Sequence, residues 1–236
     1  MSEWKARKFW KAAAVEPASG GFRVTLDGKP VMTPGKQPLI LPTRALADAV
    51  AAEWDAQGDV IDPLSMPLTR AANSAIEKVT PQFDAVADML GAYGGTDLLS
   101  YRAAEPEGLK TRQAEGWDPV LDWARERYDA PLAVTEGLMP VAQDADALAR
   151  LRARIAQMDP YELTAFHDLV TLPGSLILGL AVLDGRLTAD EAHTLARLDE
   201  EFQAERWGRD DEADAAAEGR LTAMRNAERL LGLLKS

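Results

Sequence analysis

Apolar positions alternate with polar ones near the start of the chain and recur every three or four residues after it. Phe22, Val24 and Leu26 alternate with Arg23 and Thr25, the period of a half-buried strand. Asp27-Gly28 is a favoured hairpin turn, so Val31-Met32 is expected to return antiparallel. Lys8-Phe9-Trp10 predicts the start of a strand, and Leu39-Ile40-Leu41 and Asp59-Val60-Ile61 predict short ones. Between them, Thr43 is placed to cap a helix carrying Leu46, Val50 and Trp54 at i, i+4, i+8, ended by Gly58.

Beyond about residue 65 the period is helical throughout. Leu68, Ala72, Ile76 and Val79 form one stripe, and Phe83, Val86, Leu90 and Tyr93 the next, stopped by Gly94-Gly95. Asp118-Pro119 and Asp159-Pro160 read as a cap followed by proline at the first helical position. Asp144 reads as a cap for Leu148, Leu151 and Ile155, and an apolar run near Ser175–Leu183 as a buried core helix. Leu187–Gly208 is expected to be one amphipathic helix, with Thr188 and Glu191 at capping-box spacing and Leu195, Leu198 and Phe202 on one face. Strand signals first and helices after predict an α+β fold, with a β-rich domain over 1–65 and a helical domain over 66–236.

Composition narrows what such a fold can do. The 236 residues carry a formal net charge of -12, which disfavours nucleic acid and anionic membrane and favours a partner with basic patches. There is no cysteine, which excludes disulfides, thiol catalysis and cysteine-ligated metal and fits a reducing compartment. The N-terminal MSEWKARKFWK has no apolar core of a signal peptide, and no apolar run reaches the ~18–20 residues of a membrane span. The expected location is therefore the cytoplasm. No sustained heptad seam appears, so a monomer is expected.

Catalytic motifs do not emerge. His167 and His193 lack metal-ligand spacing, Pro34-Gly35-Lys36 lacks the remainder of a phosphate loop, and no G-x-S-x-G or G-x-G-x-x-G is present. Asp210-Asp211-Glu212 with Asp214 lacks the glycine and closing glutamate of a calcium loop and reads as the acidic start of the last helix. No catalytic group, metal or cofactor is expected. Trp54, Trp117, Trp123 and Trp207 are expected to pack internally. Trp4 and Trp10 lie in a basic N-terminal arm and are candidate contact residues.

A set of segments in a particular order then adds a resemblance that covers nearly the whole chain. The N-terminal part carries RKFWK, GGFRVTLDGKPVMTP, LPTRALADAVAAEWD and MPLTRAANSAI. The middle carries TDLLSYRAAEPEGL and WDPVLDWARERY, and the C-terminal part LTADEAHTLARLDEEFQAERWG. Together they resemble the F1-ATPase α-subunit assembly chaperones of the mitochondrial F1 complex assembly factor 2 type, as a bacterial member. The resemblance implies a small β-rich domain followed by a helical one. It also implies a chaperone that binds free F1 α subunit and shields its β-facing surface until the β subunit replaces it. It points further to an acidic position within LDEEFQAERWG, which maps onto Asp199, Glu200, Glu201 and Glu205. Glu201 and Glu205 are an i, i+4 like-charge pair, relieved either by a partner's Arg or Lys or internally by Arg197, Arg206 or another helix. Two other functions stay open: an enzyme using carboxylates such as Asp199 and Glu201 as acid and base, and a general holdase for unfolded chains.

Overall fold

The computed structural model describes residues 7–137 and 139–236. Strands come first and helices after, the α+β order that the hydrophobic pattern predicts. The chain forms two compact units. One comprises Met1–Phe83, Pro160–Thr164 and Arg229–Ser236, and the other Asp84–Asp159 and Ala165–Glu228.

The first unit is organised on a small antiparallel sheet. Strand β1 (Ala13–Ala18) runs along all of β2 (Gly21–Leu26), while β3 (Lys29–Pro30) and β4 (Ile40–Leu41) share the other edge of β2. Asp27 and Gly28 both take positive φ, 48° and 79°, as the tight two-residue hairpin turn requires. That turn sets Lys29 opposite Leu26, so the return strand begins before Val31, whose N–H still donates to the Val24 carbonyl at 2.9 Å. The outer edge of β1 is nearly closed to further pairing. Ala13 N–H donates to Asp55 Oδ1 at 2.7 Å, and Pro17 has no N–H to offer.

Helix α1 (Arg44–Asp55) starts where Thr43 accepts the Leu46 N–H, and it buries Leu46 and Val50 on the sheet. Its Glu53 is buried. The carboxylate accepts the N–H groups of Leu68 (2.7 Å) and Thr69 (2.8 Å) and the Thr69 hydroxyl (2.7 Å) at the start of α2 (Pro67–Ser74). The N-terminus of α2 is thus capped from another helix, which compensates for the absence of a side-chain cap of its own. After Ser74 the backbone widens into a π turn over Ala75–Val79, which rotates the apolar stripe so that Ala75 is buried and Ile76 only half-buried. Lys8-Phe9-Trp10 does not start a strand; Arg7 instead forms an isolated antiparallel bridge with Val60.

The second unit is helical. It includes α3 (Phe83–Ala92) beyond its first residue, a two-residue parallel ladder of β5 (Tyr101–Arg102) with β6 (Thr135–Glu136), and α4 (Glu107–Tyr128). Then come α5 (Ala145–Ile155), most of α6 (Pro160–Thr171) and α7 (Leu176–Leu183), every residue of which is buried. The series closes with α8 (Ala189–Ala196), α9 (Leu198–Trp207) and most of α10 (Asp211–Leu234), whose last residues belong to the first unit. Asp144 and Ser175 cap α5 and α7 as N-cap residues do.

Two sequence expectations are corrected here. Asp118-Pro119 does not begin a helix, because α4 runs straight through Pro119. Leu109, Gln113, Trp117, Val120 and Ala124 form one buried stripe across that proline, and their burial outweighs the lost backbone bond. Leu187–Gly208 is two helices rather than one. The Thr188–Glu191 capping box forms as expected, but the chain leaves helical geometry at Arg197 (φ -106°, ψ 14°). The cause is visible at the preceding turn, where the Trp117 indole N–H donates to the Leu195 carbonyl at 2.8 Å. That carbonyl would otherwise accept from Asp199, so the ladder is interrupted there.

Candidate partner-binding surface

The break at Arg197 sets the direction of α9, and Gly116 sets how close it lies to α4. A Cβ at Gly116 would meet the ends of both Leu195 and Leu198 at 3.0 Å, so a larger residue there would force the two leucine side chains to shift. Leu198 and Phe202 face inward, with Phe202 buried and Leu198 half-buried. Two guanidinium groups lie over the Phe202 ring, Arg112 at 5.2 Å and Arg206 at 4.4 Å from its centroid.

The four carboxylates of α9 each meet a partner within the unit. Asp199 accepts from Gln113 Nε2 at 2.6 Å, and the buried Gln113 in turn accepts the Ala103 N–H at 2.8 Å. Glu200 pairs with Arg197 at 2.8 Å and Arg220 at 3.5 Å. Glu201 sits between Arg197 (2.9 Å) and Arg209 (2.7 Å). Glu205 is held by both terminal nitrogens of Arg112, at 2.8 and 2.7 Å, in the fork geometry that matches a carboxylate. This Arg112 pair holds the Glu205 carboxyl below its usual range. The repulsion between Glu201 and Glu205 is therefore relieved internally, by Arg197, Arg209 and Arg112; Arg206 takes no part and stacks on Phe202.

An Asp199–Glu201 acid–base pair would need both carboxylates to face one reacting group, and α9 does not arrange them so: Asp199 faces Gln113, and Glu201 faces two arginines. Among the described residues no group of His, Asp and Glu is placed to hold a metal ion. His193 is buried with its imidazolium disfavoured first by desolvation and then by Arg197, and His167 Nδ1 lies 3.0 Å from its neighbour Asp168.

Trp117 is buried and Trp54 packs against Trp10, as expected, but two tryptophans are placed against expectation. Trp4 lies outside the described residues. Trp10 is only 4% exposed, packed edge-on against Trp54 at 5.3 Å, so it is a core residue rather than part of a loose arm. Lys8 fixes this segment by donating to the carbonyls of Asp55 (2.9 Å) and Gln57 (3.1 Å). Trp207, expected to pack internally, is 79% exposed at the end of α9. The reason is its angle: Trp207 lies about 180° from Leu198 and about 140° from Phe202 on a helical wheel, so it cannot share their buried face.

One buried group carried no sequence signal beyond a turn. Asp97 is fully buried, and its carboxylate accepts the Leu99 N–H (3.0 Å), the Ser175 hydroxyl (2.8 Å) and the Ile177 N–H (3.0 Å). Desolvation pushes its carboxyl up to about 6 against the opposing effect of these bonds. It fastens the 97–100 turn to the start of the fully buried α7.

Residues 7–125 match the ATP12 chaperone protein family. The chain is similar to Atp12 from Paracoccus denitrificans, whose crystal structure superimposes with a TM-score of 0.96 at 64% identity over 98% of this chain and 100% of that one. An aspartate-to-lysine mutant of the same protein superimposes with a TM-score of 0.97 at 64% identity, over 99% of this chain and 100% of that one. A second relative, the mitochondrial protein atp12 of Schizosaccharomyces pombe, is 25% identical over 216 residues, 86% of this chain and 74% of that one.

Proposed function

We propose, from the premise that this chain belongs to the ATP12 chaperone family, that it is an assembly chaperone for the F1 sector of ATP synthase. Its client is the free α subunit, whose β-facing surface it covers in the cytoplasm until the β subunit takes its place. A subunit awaiting its partner exposes apolar surface that promotes aggregation, and covering that surface requires no chemical step. Family membership carries this reading.

The contact surface lies on α9, around Asp199, Glu200, Glu201 and Glu205. Each of these carboxylates is held by an arginine or glutamine of the same unit, so the surface is charged and also preorganised. A basic client surface exchanges one set of ion pairs for another there, which favours orientation and association rate over raw affinity. Trp10, being buried, has no part in this surface.

The test is aggregation of isolated α subunit, followed by light scattering without nucleotide. An equimolar amount of the protein is expected to suppress scattering, and added β subunit to release α from it. Equal scattering with and without the protein removes the reading. Equal protection of unrelated denatured proteins favours a general holdase instead.

A further inference from the structure

Trp207 is the largest exposed apolar side chain on the α9–α10 connection, and the residues around it keep it in place. Gly208 follows with a positive φ of 97°, turning the chain away from the helix end. Arg209 then folds back onto Glu201 at 2.7 Å and reaches forward to Asp214 at 3.1 Å, tying the end of α9 to the start of α10. Asp210 caps the new helix by accepting the Ala213 N–H at 2.9 Å. An indole is thus presented to solvent at a turn stapled by ion pairs on both sides. Exposing it costs hydrophobic free energy, and rigid aromatic side chains of this kind anchor protein interfaces.

The charge around it selects the partner. Glu200, Glu201 and Glu205 already hold arginines, and Asp199 holds Gln113. Within five residues of Trp207 along the chain, four charged side chains have no ion-pair partner among the described residues: Arg206 before it, and Asp210, Asp211 and Glu212 after it. The unpaired charge is net negative, as is the chain at -12.

We infer that Trp207 is the anchor by which this protein seats on its client, inserting into an apolar recess rimmed by lysine or arginine on a folded protein surface. This rests on the chaperone reading and adds to it a contact residue outside the ion-paired carboxylates. Asp211 and Glu212 meet the basic rim, and the Arg197–Glu201–Arg209 network fixes the turn that carries the indole.

The experiment measures binding of purified F1 α subunit to the wild type, Trp207→Ala, Trp207→Phe and the double variant Asp211→Lys/Glu212→Lys, each with its thermal midpoint. Trp207→Ala is expected to weaken binding about thirtyfold, the loss typical of an aromatic anchor, with its midpoint unchanged because the side chain is exposed. Trp207→Phe should recover part of the loss, and the lysine double variant should slow association most at low salt. Wild-type affinity in Trp207→Ala overturns the anchor and leaves the chaperone reading standing. Tighter binding by the lysine double variant overturns the basic rim. No binding of α subunit by the wild type overturns the anchor together with the reading beneath it.

Discussion

Trp10 and Trp207 are the same side chain used in opposite ways by two regions of the molecule. Around Trp10, the backbone is held by Lys8 on the carbonyls of Asp55 and Gln57, and the ring is pressed edge-on against Trp54. Around Trp207, polar groups also hold the backbone, through Arg209 and Asp210, yet the ring is left in water. Order and burial are thus separable. In the first region apolar packing and the Lys8 hydrogen bonds together provide the order. In the second, ion pairs provide it and leave the apolar group available for a partner.

This contrast is sharpest in stability. Trp10→Ala removes a buried aromatic and is expected to cost about 3–5 kcal/mol, seen as a fall in the denaturant midpoint, while Trp207→Ala stays within about 0.5 kcal/mol. Equal losses at the two positions would mean that Trp207 is packed after all.

The next effect concerns Glu53, the buried carboxylate that caps α2 from α1. Glu53→Ala leaves the N–H groups of Leu68 and Thr69 without their acceptor and is expected to cost about 2–3 kcal/mol in denaturant unfolding. Glu205→Lys, by contrast, reverses an exposed charge and should leave the midpoint nearly unmoved while weakening α-subunit binding. A large loss of stability from Glu205→Lys would make the α9 carboxylates structural rather than contact groups.

A smaller effect follows from Asp97. Its carboxyl titrates near 6 in the folded protein against 3.8 ordinarily, so between those values the folded state binds more protons than the unfolded one. Stability from this group therefore falls as pH rises from about 4 to 6 and is level above that. Wild type should gain stability relative to Asp97→Asn as the pH is lowered through this window, measured as the difference between their urea midpoints at pH 4.5 and 7. A difference that is constant with pH would remove the raised titration.

Much of this architecture was legible in local pattern. The Asp27-Gly28 hairpin, the Thr43, Asp144 and Thr188 caps and the change from strand to helix each depend on a few adjacent residues, and each appears. The failures involve residues distant in sequence. Pro119 looked like a helix start because its side chain fits one, but the stripe from Leu109 to Ala124 continues through it. The break at Arg197 depends on Trp117, 78 residues from the Leu195 carbonyl it occupies. The partners of Glu205 and Asp199, namely Arg112 and Gln113, are equally remote. The exposure of Trp207 is different, since its position opposite Leu198 was present in the helical period; a tryptophan near a helix end was nonetheless expected to pack.

The most direct test of the contact surface is amide hydrogen exchange on the protein alone and saturated with F1 α subunit. Protection is expected to concentrate on Leu198–Asp214, spanning α9 and the turn that carries Trp207, while the segment around Trp10 and Trp54 exchanges as in the free protein. Unchanged exchange over Leu198–Asp214 in a saturated complex, with protection elsewhere, would contradict the assignment of this surface to the client.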